Sequence, residues 1–183
     1  SPGYHFSGNF LSELGATRSW SGQDNHASAL LFTIALGTLG LAFMWFAAAW
    51  RGFAFRDKRA AAAGVAAQEF GTTSGAAFAA VSVTPVNLAL QAHNMFVVAA
   101  FGLLLGYAAC TTIVWARNGA TAAQLAISAL YVVLVLGYFI VVAIALHHGV
   151  VSERGHRELV VSQKAMAYVS MLYIGYVTIA VRR

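Results

Sequence analysis

The stretch that decides the fold is AAQLAISALYVVLVLGYFIVVAIALH, which occupies residues 122–147 and contains no Asp, Glu, Lys or Arg. About 20 predominantly apolar residues are enough to cross the hydrocarbon core of a bilayer as a helix. The rest of the chain has the same character, because 60% of its 183 residues are hydrophobic and 9% are charged. Soluble domains are about 45–50% apolar and about 25% charged. This composition therefore excludes an ordinary soluble domain and a disordered chain.

Four further apolar runs accompany this stretch, so we expect an all-α, membrane-embedded helical bundle. An outer N-terminal segment, residues 1–25, precedes the bundle of residues 26–183. The five predicted spans lie near residues 26–50, 60–83, 88–114, 122–147 and 164–181.

The second run, residues 60–83, is the least lipid-like of the five because it consists mostly of Ala, Gly, Ser and Thr. Small residues let helix backbones approach each other closely in membranes. We therefore expect this helix in the middle of the bundle, with Gly71 and Gly75 at a helix–helix contact. A second pair on the third span, Gly102 and Gly106, predicts a similar contact.

The same run contains two intramembrane polar residues, Gln68 and Glu69, and Glu69 is the only acid well inside a predicted span. Polar side chains within membranes face the bundle interior, so we expect both to be buried. The functional hypotheses for Glu69 are a proton relay, a hydrogen bond to a ligand or an ion pair with a basic residue. The alternative is a neutral acid that is hydrogen-bonded to a Thr, Ser or Tyr on a neighbouring helix.

Basic residues between the runs predict the orientation, because cytoplasmic loops carry an excess of Lys and Arg. One side has seven, namely Arg51, Arg56, Lys58, Arg59, Arg117, Arg182 and Arg183; the other has four, namely Arg18, Arg154, Arg157 and Lys164. We therefore expect the first set in the cytoplasm, with the N-terminus outside and the C-terminus cytoplasmic. A chain that begins outside requires prior translocation, either by a signal peptide that has been cleaved or by an upstream span. We expect the upstream span and therefore a six-span parent protein.

Histidines concentrate on the predicted outer side. His93 lies within the third span, His26 begins the first, and His147 and His148 end the fourth. Imidazole is a common ligand of zinc, copper and iron, and two histidines from different spans could hold a haem or a pigment. Because no local metal-binding spacing is present, such a site would have to be assembled across helices. The alternative is that these residues make ordinary hydrogen bonds at the membrane interface.

Several classes of function lack the residues that they need. Cys110 is the only cysteine, so no internal disulfide and no covalent haem motif can form. There is no nucleophile elbow, phosphate loop or dinucleotide fingerprint. The net charge of +5 comes from short basic segments between apolar runs, which suits a membrane surface and not nucleic acid.

The outer N-terminal segment carries the most specific motif in the chain. Residues 10–17 predict a short amphipathic helix at the outer interface, with Glu13 near the mouth of the bundle. Residues 9–17, Asn-Phe-Leu-Ser-Glu-Leu-Gly-Ala-Thr, resemble the Asn-x-Ile-Ser-Glu-Leu-Gly-Ala signature of a bacterial and archaeal family, domain of unknown function 998. The run 91–101 is similar to that family's later histidine-bearing helix. The resemblance depends mainly on the Ser-Glu-Leu-Gly segment.

This resemblance implies a six-span protein of the bacterial inner membrane that is related to DRAM-type and GPI-lipid remodelling proteins, which act in lipid handling. It carries over Ser12, Glu13, Gly15 and His93 as candidate site residues. The chain departs from the pattern after the signature, where the family often has a proline and this chain has Arg18. The His147–His148 pair has no counterpart in the family either.

Three functional hypotheses follow. The first is a non-enzymatic membrane protein that binds lipid or serves as an accessory subunit, so that its partners are membrane lipid and other membrane subunits. The second is an outer-leaflet lipid-modifying enzyme in which Glu13 is the general acid or base beside His93, with Ser12 as a further candidate. The third is a haem-, pigment- or metal-binding subunit that uses His26, His93, His147 or His148.

Overall fold

The computed structural model describes residues 3–52, 55–148 and 153–180. Within these residues the protein is all-α and has no strand, as the sequence predicts. Its α-helices are α1 (His26–Ala48), α2 (Lys58–Ser82), α3 (Leu90–Asn118), α4 (Ala122–His148) and α5 (Glu153–Ala180). Two short 3₁₀-helices precede and follow α1, at Leu11–Gly15 and Ala49–Gly52.

Three of the helices, α1, α3 and α4, are long and apolar enough to cross a membrane, which indicates an integral membrane protein. The other two are less apolar. Small and polar residues lower the mean hydropathy of α2. Helix α5 begins at Glu153, roughly three turns before the span predicted from residue 164. The charged first turns of α5 belong to the same helix as its apolar part. Hydropathy does not predict them, because it detects only the apolar part. Arg182 and Arg183, used above for orientation, lie outside the described residues.

The helices pack in chain order, and the backbones of α1 and α2 touch where the two helices cross. A Cβ atom on Gly40 would lie 2.6 Å from the carbonyl oxygen of Gly75, and one on Gly75 would lie 2.6 Å from the carbonyl oxygen of Gly40. Backbone therefore lies directly on backbone here, which only glycine permits. Gly71 is equally confined, by the Cβ of Ala47. The second predicted pair makes a contact at one of its two positions. A Cβ on Gly106 would lie 2.9 Å from the ring of Phe70 on α2, whereas one on Gly102 would meet no described residue within 4 Å.

Buried polar side chains tie α2 and α3 into the core. The Oγ of Ser74 donates to the carbonyl oxygen of Ala100 at 2.8 Å, and both residues are fully buried. The phenol oxygen of Tyr107 accepts a hydrogen bond from Trp50 Nε1 at 3.3 Å, and the Tyr107 ring meets Phe43 edge to face. These pairs satisfy hydrogen-bonding groups that would otherwise be buried without partners.

Helices α4 and α5 are joined by a second polar cluster, of two tyrosines and two serines. The rings of Tyr131 and Tyr173 stack at a centroid distance of 4.0 Å. Each hydroxyl shares a hydrogen bond with a serine on the opposite helix, Tyr131 with Ser170 at 2.9 Å and Tyr173 with Ser128 at 3.2 Å. This reciprocal arrangement fixes the register of the two helices.

Asp57 lies at the end of the bundle where α2 begins and α3 ends, next to Lys58 and Arg117. Its Oδ1 accepts from the backbone N–H of Ala60 at 2.8 Å and thereby caps α2, and its Oδ2 accepts from Arg117 at 3.2 Å. The cap hydrogen bond and, secondarily, the Arg117 guanidinium hold the pKa of Asp57 below its ordinary value. One carboxylate therefore joins the start of α2 to the end of α3.

Candidate functional site

Residues 3–25 form a cap over one end of the bundle, and Glu13 organises this cap. Its Oε1 accepts from the backbone N–H of Phe10 at 2.9 Å. Its Oε2 accepts from Asn9 Nδ2 at 2.6 Å and from Trp20 Nε1 at 2.8 Å. The carboxylate of the signature segment is therefore occupied by donors from the cap itself, which is the pattern of a structural residue at a helix start.

The cap is attached to three separate parts of the bundle. On α1, Ser28 Oγ donates to the carbonyl oxygen of Leu14 at 2.9 Å. In the loop between α2 and α3, Asn87 exchanges two hydrogen bonds of 3.0 Å with Thr17. On α5, the Oε1 of Gln163 accepts from the backbone N–H of Leu11 at 3.0 Å. Gly15 adds a close contact, because its missing side chain makes room for the ring of Phe32, which a Cβ would approach within 2.5 Å.

Lys164 holds the cap from beneath and is 2% exposed. Its Nζ donates to the carbonyl oxygens of Phe6 and Asn9, the latter at 2.6 Å. The same ammonium lies 4.4 Å from the ring centroid of Phe6 and 5.0 Å from that of Tyr4. Carbonyl dipoles and aromatic faces therefore stabilise the charge of the ammonium. The sequence signal for this role is a single cation set among apolar residues of α5.

A cavity of about 80 Å³ lies directly under the cap. Leu11 and Ser12 form its roof, and α1, α2, α3 and α5 form its walls. Carbon atoms make almost the whole lining, which comprises Leu11, Ser12, Phe32, Leu36, Leu39, Phe43, Phe78, Val81, Val97, Phe101, Gln163, Ala167, Ser170, Met171 and Ile174. The cavity lies at the end of the bundle where the sequence places Glu13, but the residue of the signature that reaches the cavity is Ser12.

His93 is buried at the same end of the bundle, with 2% of its surface exposed. Its Nδ1 donates to the carbonyl oxygen of Thr84 at 2.7 Å, which leaves Nε2 as an acceptor. In the described part of the chain this Nε2 has no hydrogen-bond partner. One turn further along α3, Val97 lines the cavity, whereas His93 and Glu13 do not.

The remaining histidines have separate local environments. His26 pairs with Asp24 just before α1, and this pairing holds the pKa of Asp24 below its ordinary value. His156 donates from Nε2 to the carbonyl oxygen of Gly8 at 3.0 Å and so adds another attachment of the cap to α5. His147 lies exposed near the end of α4, and the side chain of His148 falls outside the described part. Among the described residues, no three His, Cys, Asp or Glu side chains group as metal ligands.

The two polar residues of α2 point in different directions. Gln68 is buried, as expected, with 5% of its surface exposed. Glu69 is exposed on the outward side of the helix, contrary to the expectation that both are interior. Successive residues on a helix are about 100° apart, so neighbours in sequence do not share a face.

No family model, curated protein or solved structure matches this chain. The chemistry of the site therefore has to be taken from its own residues. An almost wholly apolar cavity of this size under a hydrogen-bonded cap can hold a short segment of a hydrocarbon chain, with the few polar groups of Ser12 and Gln163 at one end. Small-molecule sites have this composition of a mostly apolar wall with a few orienting polar groups.

Proposed function

We propose that this chain is a non-enzymatic multi-pass membrane protein that binds a lipid by one acyl chain. The observation that carries the proposal is the apolar cavity between α1, α2, α3 and α5, roofed by Leu11 and Ser12. Lipid tails are as apolar as the cavity wall, so transfer between the two has little hydrophobic driving force. Selective binding then depends on shape and on polar contacts at the roof.

The lipid enters from the side, between α1 and α5. Both helices line the cavity, although each packs on a different neighbour, α1 on α2 and α5 on α4. Met171 marks the entry, because it lines the cavity and is 42% exposed. The adjacent outward surfaces carry large exposed apolar side chains, among them Leu31 on α1 and Leu172 on α5.

Polar groups at the roof orient the lipid. Gln163 uses its Oε1 to hold the cap at Leu11, which leaves its amide N–H groups as donors. The hydroxyl of Ser12 is a second donor on the same side of the cavity. Ester carbonyl oxygens of a glycerolipid are acceptors that match these donors, so the headgroup lies toward the cap and the chain extends along α1 and α5.

The proposal includes five spans in this chain and a bacterial inner membrane with the cap outside. The resemblance of residues 9–17 to the domain of unknown function 998 signature supports it, since the related eukaryotic proteins handle lipids. The lipid-modifying alternative requires Glu13 and His93 at one reacting atom. Glu13 has three donors within the cap and His93 donates to Thr84, so the geometry favours binding over catalysis.

A photoreactive phospholipid tests this proposal. The lipid carries a diazirine near the end of one acyl chain, and the protein is reconstituted with it in vesicles and irradiated. We expect adducts on Phe101 or Phe78, which line the cavity, and these adducts should decline when an excess of unlabelled phospholipid competes. Adducts confined to lipid-facing residues such as Ile113, which is 48% exposed, would contradict acyl-chain binding in the cavity.

A further inference from the structure

The outward side of α2 is a helix face without a partner in the described part of the chain. Helix α2 packs against α1 through Gly75 and against α3 through Ser74. Its third side is exposed at Ala62, Val65, Glu69, Thr73 and Ala76. These residues are three or four apart and therefore form one stripe. We name this stripe the Glu69 face.

The carboxylate of Glu69 lacks a hydrogen bond or ion pair to any described residue. The nearby hydroxyl of Thr73 donates instead to the backbone carbonyl oxygen of Glu69, at 2.8 Å. By helix rise, Glu69 lies roughly 16 Å from Lys58 and roughly 20 Å from Ser82, the two ends of α2. It thus lies near the middle of α2, and in a helix that spans the membrane this position is near the midplane of the roughly 30 Å hydrocarbon core.

An acid at this depth is unfavourable next to lipid and is found in membranes with a partner. The neighbouring Gln68 turns into the bundle, so the helix can bury a polar side chain, yet Glu69 faces outward. Ala62, Thr73 and Ala76 on the same face are small, which allows a second helix to approach closely enough for an ion pair. The small residues permit close contact with a second helix. The carboxylate of Glu69 then requires that this helix has a basic side chain at the same depth.

We propose that the Glu69 face docks a membrane-spanning helix of another protein that presents a Lys or Arg side chain at the depth of Glu69. A second copy of this chain is a poor match, because a two-fold contact along this face would bring Glu69 toward its own counterpart. The described basic residues of α2 itself, Lys58 and Arg59, are at the helix end. This inference rests on the proposed five-span arrangement, in which α2 spans the membrane, and it is independent of lipid binding in the cavity.

Synthetic transmembrane peptides test the proposal directly. Two Leu/Ala host peptides of about 23 residues differ only at the central position, which is Lys in one and Leu in the other. Each is labelled, reconstituted in phosphatidylcholine vesicles with the labelled full chain, and followed by energy transfer. We expect the Lys peptide to bind about tenfold more tightly than the Leu peptide.

Variants of the chain separate the carboxylate from general helix association. Glu69→Gln should abolish the preference for the Lys peptide, whereas Glu153→Gln, which removes an exposed acid at the start of α5, should keep it. Ala76→Phe should weaken binding of the Lys peptide, because the larger side chain keeps the peptide helix away from α2. Circular dichroism checks that each variant is helical. Equal affinity for both peptides, a preference that survives Glu69→Gln, or self-association that outcompetes the Lys peptide would overturn the proposal.

Discussion

The Nζ of Lys164 donates to the carbonyl oxygen of Asn9 at 2.6 Å, and this contact joins residues that are 155 positions apart in the chain. It attaches the cap to α5 by a buried cation that has no carboxylate within ion-pair distance in the described part of the chain. Because Asn9 also donates to Glu13, the ammonium and the signature segment belong to one connected network. Lys164 is therefore one of the attachments that position the cap over the cavity.

Replacing this cation should loosen the cap and leave the bundle folded. Lys164→Met keeps an unbranched side chain, shorter by one heavy atom, but removes hydrogen bonds that each contribute about 1.5–3 kcal/mol when one partner is charged. We expect trypsin to cleave the folded protein after the exposed Arg18 about tenfold faster or more, because the cap opens more often. The control is Lys58→Met at the exposed start of α2. Equal cleavage rates in the two variants would show that Lys164 does not hold the cap.

Glu13 should act on the structure of the cap. Glu13→Gln removes acceptor capacity that three donors now use, so we expect a loss of about 1–3 kcal/mol in cap stability. The fluorescence of Trp20 should change, since its Nε1 loses an acceptor. Reconstituted samples of Glu13→Gln and of Glu153→Gln can be compared by emission spectrum and by proteolysis. Identical behaviour of the two variants would count against the structural role.

A side chain added where α1 and α2 cross should lower the stability of the protein. Gly75→Ala places a Cβ 2.6 Å from backbone oxygen, so we expect a loss of about 1–3 kcal/mol as the helices separate. Gly102→Ala is the matched control, because its Cβ meets no described residue within 4 Å and alanine favours a helix by up to about 1 kcal/mol. Unfolding monitored by circular dichroism measures both. A Gly75→Ala protein as stable as Gly102→Ala would contradict the backbone contact.

Acid should weaken the end of the bundle that Asp57 organises. The pKa of Asp57 is lower in the folded protein than its ordinary value, so its contribution is complete above the unfolded pKa of about 3.9. That contribution is lost as pH falls through the folded pKa, because the protonated acid no longer attracts Arg117. Asp57→Asn keeps a capping oxygen without the charge. We expect its Tm to fall less than that of the wild type between pH 6 and pH 3; equal falls would exclude the contribution.

The five helices could be predicted from apolar runs, because hydropathy depends on composition over a window of about 20 residues. The Gly71 and Gly75 contact followed from the same reasoning, since small residues mark close crossings. The outward position of Glu69 could not be predicted, because it depends on which side of α2 its neighbours occupy. The burial of Lys164 could not be predicted either. A count of basic residues between spans assumes that a Lys near a helix end is exposed, whereas a long-range contact with the cap buries this one.

The cavity itself was beyond the sequence, since residues from α1, α2, α3, α5 and the cap meet only in three dimensions. Glu13 and Ser12 are neighbours in the signature segment, but their side chains have different surroundings. Glu13 builds the cap, whereas Ser12 faces the cavity. Side-chain direction within a short 3₁₀-helix decides this difference, and spacing in the sequence does not reveal it.

The most direct test of lipid binding fills the cavity from one wall. Ala167 lines the cavity on α5, and Ala165 on the same helix is exposed. Ala167→Phe and Ala165→Phe can therefore be compared by native mass spectrometry after release from nanodiscs of phosphatidylethanolamine and phosphatidylglycerol. We predict that the wild type and Ala165→Phe retain one phospholipid and that Ala167→Phe retains it severalfold less. Equal retention by the two variants, with both folded, would contradict an acyl chain in the cavity.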